Sequence, residues 1–203
     1  MSYLRHLSEE SAIQTFADIL KHQSKIIGVG LDSSELGHPP EKFKRVFQQA
    51  KQAGFLTVAH AGEEGPAQNI VDAIEMLSVS RVDHGVQCMT DEALISELIE
   101  TKMPLTVCPL SNIKLRVFDV MEDHNIVELL RKGVAVTINS DDPAYFGGYM
   151  SDNFNAVSNA HQLTRQELAQ FSLNAIDASF IEESLKQQYR DVVFAYIAEV
   201  GAI

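Results

Sequence analysis

Short apolar runs alternate along the chain with longer stretches in which apolar residues recur every three or four positions. The short runs lie at 26–31, 55–59, 81–83, 105–108 and 134–138. Most are rich in β-branched residues and none contains proline, so they read as buried strands. A further short strand is expected at 3–6. Between the runs, Phe43, Val46, Phe47 and Ala50 fall at helical spacing behind Pro39 and Pro40, which suit a helix entry. Ile70, Ala73, Ile74 and Leu77 repeat the spacing, as do Leu94, Ile95, Leu98 and Ile99 behind Thr90 or Asp91 as N-cap. Ile126, Leu129 and Leu130 make a short stripe ended by Gly133. Thr164 and Glu167 form a capping box, and Ile181, Leu185, Val192 and Tyr196 mark a last helix.

Strand–helix alternation with short loops predicts a parallel sheet covered by helices. Both a doubly wound open sheet and a (β/α)8 barrel fit that pattern. The polar residues favour the barrel. Reactive side chains follow five strands in turn: Asp32 to Glu35, His60 to Glu64, Asp83 and His84, Ser111 and Asn112, and Asn139 to Asp142. The C-terminal strand ends are where α/β enzymes place their sites. Gly28 and Gly30 sit inside a strand pattern and do not form a phosphate-binding glycine loop, which weakens a nucleotide-binding sheet.

Composition adds limits. The 203 residues suffice for one medium domain, taken as residues 1–203. Sixteen basic against 28 acidic residues, a net charge of −12, argue against nucleic acid as partner. No apolar run approaches the roughly 20 residues of a membrane helix. Cys88 and Cys108 do not make a disulfide framework, and a cytoplasmic location is expected. Both read as buried small hydrophobes.

His60 and Asp141 are ligand types suited to zinc. Glu63, three residues after His60, is placed to exchange a proton beside a metal-bound water. His84 is placed to hold that water. Asp142 is placed to accept a hydrogen bond from a substrate N–H. Each has a plainer reading: a strand-end histidine is often a structural hydrogen-bonding group, and Asp-Asp-Pro is often a turn or helix cap. His6 and His22 read as surface residues, His38 as a loop residue, His124 and His161 as caps or surface groups, and Glu64 as solvated.

Taken together, His60-Ala61-Gly62-Glu63, Asp83-His84-Gly85, Cys108-Pro109-Leu110-Ser111-Asn112 and Ser140-Asp141-Asp142-Pro143 resemble, in order, the motifs of the adenosine and adenine deaminases. These are zinc amidohydrolases built on (β/α)8 barrels. The run Leu31-Asp32-Ser33-Ser34-Glu35 and the Asp142-to-Tyr149 segment look more like the bacterial adenine deaminase branch. The resemblance implies zinc-dependent hydrolytic deamination of adenine to hypoxanthine and ammonia. It implies that His60 and Asp141 ligate zinc, that Glu63 protonates a purine ring nitrogen, that His84 orients the attacking hydroxide, and that Asp142 fixes a second ring nitrogen. The family also takes two zinc ligands from a His-x-His motif on its first strand. None of the seven histidines here is separated from another by one residue. The expected fold is therefore an incomplete (β/α)8 TIM-type barrel, strands four to eight plus a remnant of strand three, with C-terminal helices. A homo-oligomer or a complementing N-terminal segment is a possible partner. The competing readings are an adenosine or modified-purine deaminase, for which a ribose would need donors and space near Asp32 to Glu35, and a non-catalytic remnant or half-barrel interaction module.

Overall fold

A computed structural model describes residues 1–201. The packing of the described residues divides into two compact units, 1–105 and 106–201. Among the described residues there are six strands and ten α-helices.

In the first unit, β1 (Ser2–Leu4), β2 (Gly28–Asp32), β3 (Leu56–Ala61) and β4 (Arg81–His84) pair in chain order, all parallel. The helices α1 (Glu9–Leu20), α2 (Lys44–Gln52), α3 (Ala67–Leu77) and α4 (Glu92–Thr101) connect and cover them. The first strand is displaced from the expected 3–6 to Ser2–Leu4, because Arg5 leaves the strand to serve as a buried side-chain donor. The third runs on to Ala61, so His60 lies inside a strand.

Thr57, Ala59 and Ala61 are buried on one face of β3, and Val58 and His60 are only half-buried on the other. Such alternation is what a strand between a helical layer and a more open face shows. On the helical side, Phe43, Val46, Phe47 and Ala50 are fully buried as their spacing predicts. The turn carrying Phe43 is a 3-10 helix (Pro40–Phe43), begun where two prolines restrict the backbone. Ile70, Ala73, Leu77, Leu94, Ile95 and Leu98 are buried, whereas Ile99 is partly exposed.

Asp91 is the N-cap of α4, its carboxylate accepting the N–H groups of Ala93 and Leu94. Asp91→Ala should cost about 1 kcal/mol, a fall of about 2–4 °C in the melting temperature for a chain of this size; differential scanning calorimetry checks it.

The second unit holds β5 (Leu105–Val107), whose first residue marks the division, and β6 (Val136–Ile138), followed by the helices that carry its polar residues. These are α5 (Pro109–Lys114), α6 (Ile126–Lys132), α7 (Pro143–Phe146), α8 (Met150–His161), α9 (Arg165–Ala178) and α10 (Glu183–Glu199). Gly133 caps α6 with φ of 98° and Thr164 with Glu167 forms the capping box of α9, as the sequence predicts. The last stripe does not pack as its spacing suggests: Ile181 precedes α10, and Leu185, Val192 and Tyr196 are exposed, while Ile197 is buried.

Candidate active site

Parallel pairing in chain order brings the ends of β2, β3 and β4 to one edge, and the register places His60 opposite Asp83 and Ala61 opposite His84. Residues in register on parallel strands share a face, so the His60 ring meets the Asp83 carboxylate, Nδ1 to Oδ2, at 3.2 Å. Strand alternation alone would turn His84 to the opposite face. Instead His84 has φ of 66°, a left-handed conformation costing a non-glycine residue about 1–2 kcal/mol. Its ring lies edge-on to that of His60 with centroids 4.6 Å apart, and its Nδ1 is 3.2 Å from Glu63 Oε1. Strain of this kind concentrates at functional positions.

Electrostatics separate the two histidines. Burial opposes charge on His60, but the hydrogen bond and charge of Asp83 outweigh it and leave its pKa above the ordinary value. Burial, reinforced by the neighbouring His60, pushes His84 down to about 3, so it is neutral. With Nδ1 of His60 engaged by Asp83, Nε2 is the ring nitrogen left to face a ligand. A carboxylate behind a histidine is the usual support of a metal-binding imidazole.

Glu63 stands on the turn that leaves β3. Gly62 is required there twice over: its φ is 66°, and a Cβ would lie 2.5 Å from Ile70 Cδ1. The turn is held from both sides by residues whose roles the sequence did not reveal. Arg5, fully buried, donates from Nε to the carbonyl of His38 at 2.8 Å and from Nη1 to that of His60 at 2.6 Å. Glu35, also buried, accepts the backbone N–H groups of Gly62, Glu63, Glu64 and Gly65 and the side-chain N–H of Asn69. Burial works to raise the Glu35 pKa, but these hydrogen bonds prevail and hold it below the usual carboxylate range. Arg5 Nη1 lies 4.0 Å from Glu35 Oε1. Glu35 is thus committed to protein donors rather than to a ribose.

In the second unit, Asp141 also takes a left-handed backbone, with φ of 55°. It is exposed, and its Oδ2 accepts the buried Ser111 hydroxyl at 2.7 Å. Ser111 therefore acts on Asp141 itself. Asp142 is exposed and is the N-cap of α7, Oδ1 accepting the N–H groups of Ala144 and Tyr145. The plain reading of Asp-Asp-Pro as a cap is realised, and Oδ1 is the oxygen it occupies.

Asn112 is buried, with Oδ1 3.2 Å from His124 Nε2. His124 Nδ1 accepts the Ile126 N–H, which fixes Nε2 as the protonated nitrogen. His124, expected as a cap or surface group, is instead buried just before Asn125, the N-cap of α6, and burial and the neighbouring His161 push its pKa down to about 3. His6 and His22 are exposed, and Cys88 and Cys108 are buried. Burial pushes the Cys88 thiol up to about 12, which leaves it inert as a nucleophile.

Residues 1–196 match the adenosine deaminase family. The chain belongs to that family. It is 76% identical over 197 residues to an adenine deaminase of Vibrio parahaemolyticus, covering 97% of this chain and 58% of the relative. It is 57% identical over 186 residues to an adenine deaminase of Hahella chejuensis, covering 92% and 56%. A crystal structure of adenine deaminase from Arthrobacter aurescens matches with a TM-score of 0.95 at 44% identity, covering 97% of this chain and 60% of that one. An amidohydrolase of Burkholderia ambifaria, solved with bound Zn, matches with a TM-score of 0.90 at 28% identity, covering 98% and 56%. This member of the adenosine deaminase family thus spans somewhat over half the length of the curated relatives it matches. The agreement bears out the expected fold class, part of a (β/α)8-type barrel. Among the described residues no helix is long and apolar enough to cross a membrane.

Proposed function

We propose that the chain carries the proton-transfer and substrate-binding residues, and part of the metal site, of a zinc-dependent adenine deaminase. The observation that carries this reading is the His60, Asp83, His84 and Glu63 cluster: a carboxylate-backed imidazole beside a neutral imidazole in contact with a carboxyl group. The high identity to proteins named adenine deaminase supports adenine as the substrate.

The donor set fits zinc. His60 offers Nε2, and Asp141 offers a carboxylate steadied by Ser111. We assign both as ligands. When bound, zinc supplies a Lewis acid that makes hydroxide available near neutral pH. Glu63 gives a proton to the ring nitrogen beside the amino-bearing carbon, which lets that carbon accept water. His84, uncharged, orients the water and can accept its proton through a ring nitrogen. Asp142, with Oδ1 engaged in the cap, holds a second ring nitrogen through its other oxygen. The proton that His84 takes passes to the amino group, which leaves as ammonia as its bond to carbon breaks, and the added hydroxyl returns its proton to Glu63, so that hypoxanthine remains.

The test follows adenine by ultraviolet absorbance in zinc-supplemented protein. It is run on the chain alone and together with a polypeptide supplying the part of the Vibrio parahaemolyticus relative that this chain does not cover, with adenosine in parallel. Loss of adenine exceeding that of adenosine supports the reading. Faster loss of adenosine, or no loss of either purine under both conditions, overturns it.

Asp83→Asn gives an independent check on the ligand assignment. Asparagine keeps an acceptor for His60 but not the charge, so zinc affinity should fall by about 10–100-fold. Competition with a chromophoric chelator measures it, and unchanged affinity would remove His60 Nε2 from the ligand set.

A further inference from the structure

We propose that Glu35 is a positioning residue for Glu63, acting through the backbone of residues 62–65; the proposal rests on the assignment of Glu63 as proton donor. One carboxylate collects four consecutive amides. Oε1 takes the Gly62 N–H at 2.8 Å and Asn69 Nδ2 at 2.9 Å. Oε2 takes Glu63 at 2.8 Å, Glu64 at 3.0 Å and Gly65 at 3.1 Å. The approach is close enough to exclude a side chain at position 65, where a Cβ would lie 2.3 Å from Asn69 Nδ2 and 2.9 Å from Glu35 Oε1.

Burying an ionised carboxylate costs several kcal/mol before it is compensated. Five charge-assisted hydrogen bonds offset that cost, and each is stronger than a neutral one. A turn of four residues needs no such charge merely to reverse direction. What the arrangement adds is definition. The peptide planes on both sides of Glu63 are fixed by one rigid group, so the direction of its Cα–Cβ bond is fixed as well. Arg5 completes the hold by fixing the His60 carbonyl at the strand side of the same turn. From that backbone the Glu63 carboxyl reaches His84 Nδ1 at 3.2 Å. Proton transfer is sensitive to such placement, since a misplacement of about 1 Å costs on the order of 100-fold in rate.

Glu35→Gln is isosteric and separates the charge from the shape. Its carbonyl oxygen will turn to the side with three donors, and its NH2 will then face the Gly62 N–H. In zinc-loaded protein that retains its fold, amide exchange followed by NMR should accelerate at residues 62–65 by about tenfold or more, most at Gly62, with α3 unchanged. The kcat for adenine should fall by about 10–100-fold with KM nearly constant, as expected when only placement for the chemical step is lost. Glu35→Asp, which keeps the carboxylate, should recover part of both effects. Should Glu35→Gln not fold, Asn69→Ala removes one donor to the same carboxylate, and a smaller change of the same kind is expected.

Unchanged exchange at 62–65 overturns the proposal. So does faster exchange with unchanged kcat, or a rise in KM alone. If the unsubstituted protein deaminates no purine, the functional reading fails, and the positioning claim is decided by the 15N shift of His84 Nδ1. A shift moved by Glu35→Gln supports it, and an unmoved one overturns it.

Discussion

Glu63→Gln should lower the kcat for adenine by about 10²–10⁴-fold, the range that one general acid–base group contributes. Zinc binding should survive. The substitution keeps the size of the side chain and removes its acidic proton. The backbone beneath it stays clamped, because Glu35 holds the Glu63 N–H and not its side chain. The amide can still meet His84 Nδ1, so the local geometry has little cause to change. It can donate a hydrogen bond to a purine nitrogen but cannot transfer a proton to it. The predicted signature is loss of kcat, little change in KM and unchanged zinc content. Absorbance assays and metal analysis read all three. A variant running at full rate would show that another group supplies the proton. Glu63→Asp retains the acid but shortens its reach, and should fall between the two.

Much of this site was legible because its reactive residues lie in short contiguous motifs. His60 to Glu63, Asp83 to Gly85 and Ser140 to Pro143 each sit at the end of one strand, and strand ends can be found from apolar runs. Within the first unit the strand order then brings the motifs after β3 and β4 together without further information. What was not legible depends on long-range packing. Arg5 acts on His38 and His60, 33 and 55 residues away, from the turn after a strand too short to mark it as special. Glu35 is 27 residues from Gly62, and in the sequence it is one acidic group among several after a strand. Asp83 stood in a recognised motif, but only the parallel register shows that it backs His60. The left-handed backbone of His84 and Asp141 carries no composition signal, since neither is followed or preceded by a pattern that demands it. Periodicity was least informative in α10, where apolar spacing is present but most of the stripe is exposed.

Arg5→Ala is expected to destabilise the first unit by about 3–5 kcal/mol, the usual cost of removing one partner from a buried ion pair. The side chain is 0% exposed, so its loss also leaves a void where a long side chain packed. The carbonyls of His38 and His60 lose a charged donor, and Glu35 loses its nearest cation. Two further variants separate these contributions. Arg5→Met restores most of the volume without the charge, and Arg5→Lys restores the charge without the planar fork that reaches two carbonyls at once. Arg5 Nη2 has no hydrogen-bond partner, so the arginine is imperfectly satisfied where it stands, and Arg5→Met should recover part of the loss. Urea denaturation at neutral pH reads each as a fall in the midpoint at constant slope. If Arg5→Ala costs under about 1 kcal/mol, the five N–H donors around Glu35 suffice for its charge, and Arg5 is not part of the hold on the turn. If the loss is large and zinc affinity falls with it, the effect has passed through the His60 carbonyl to the ring that Asp83 orients, which is the coupling that the shared hold on residues 60–65 requires.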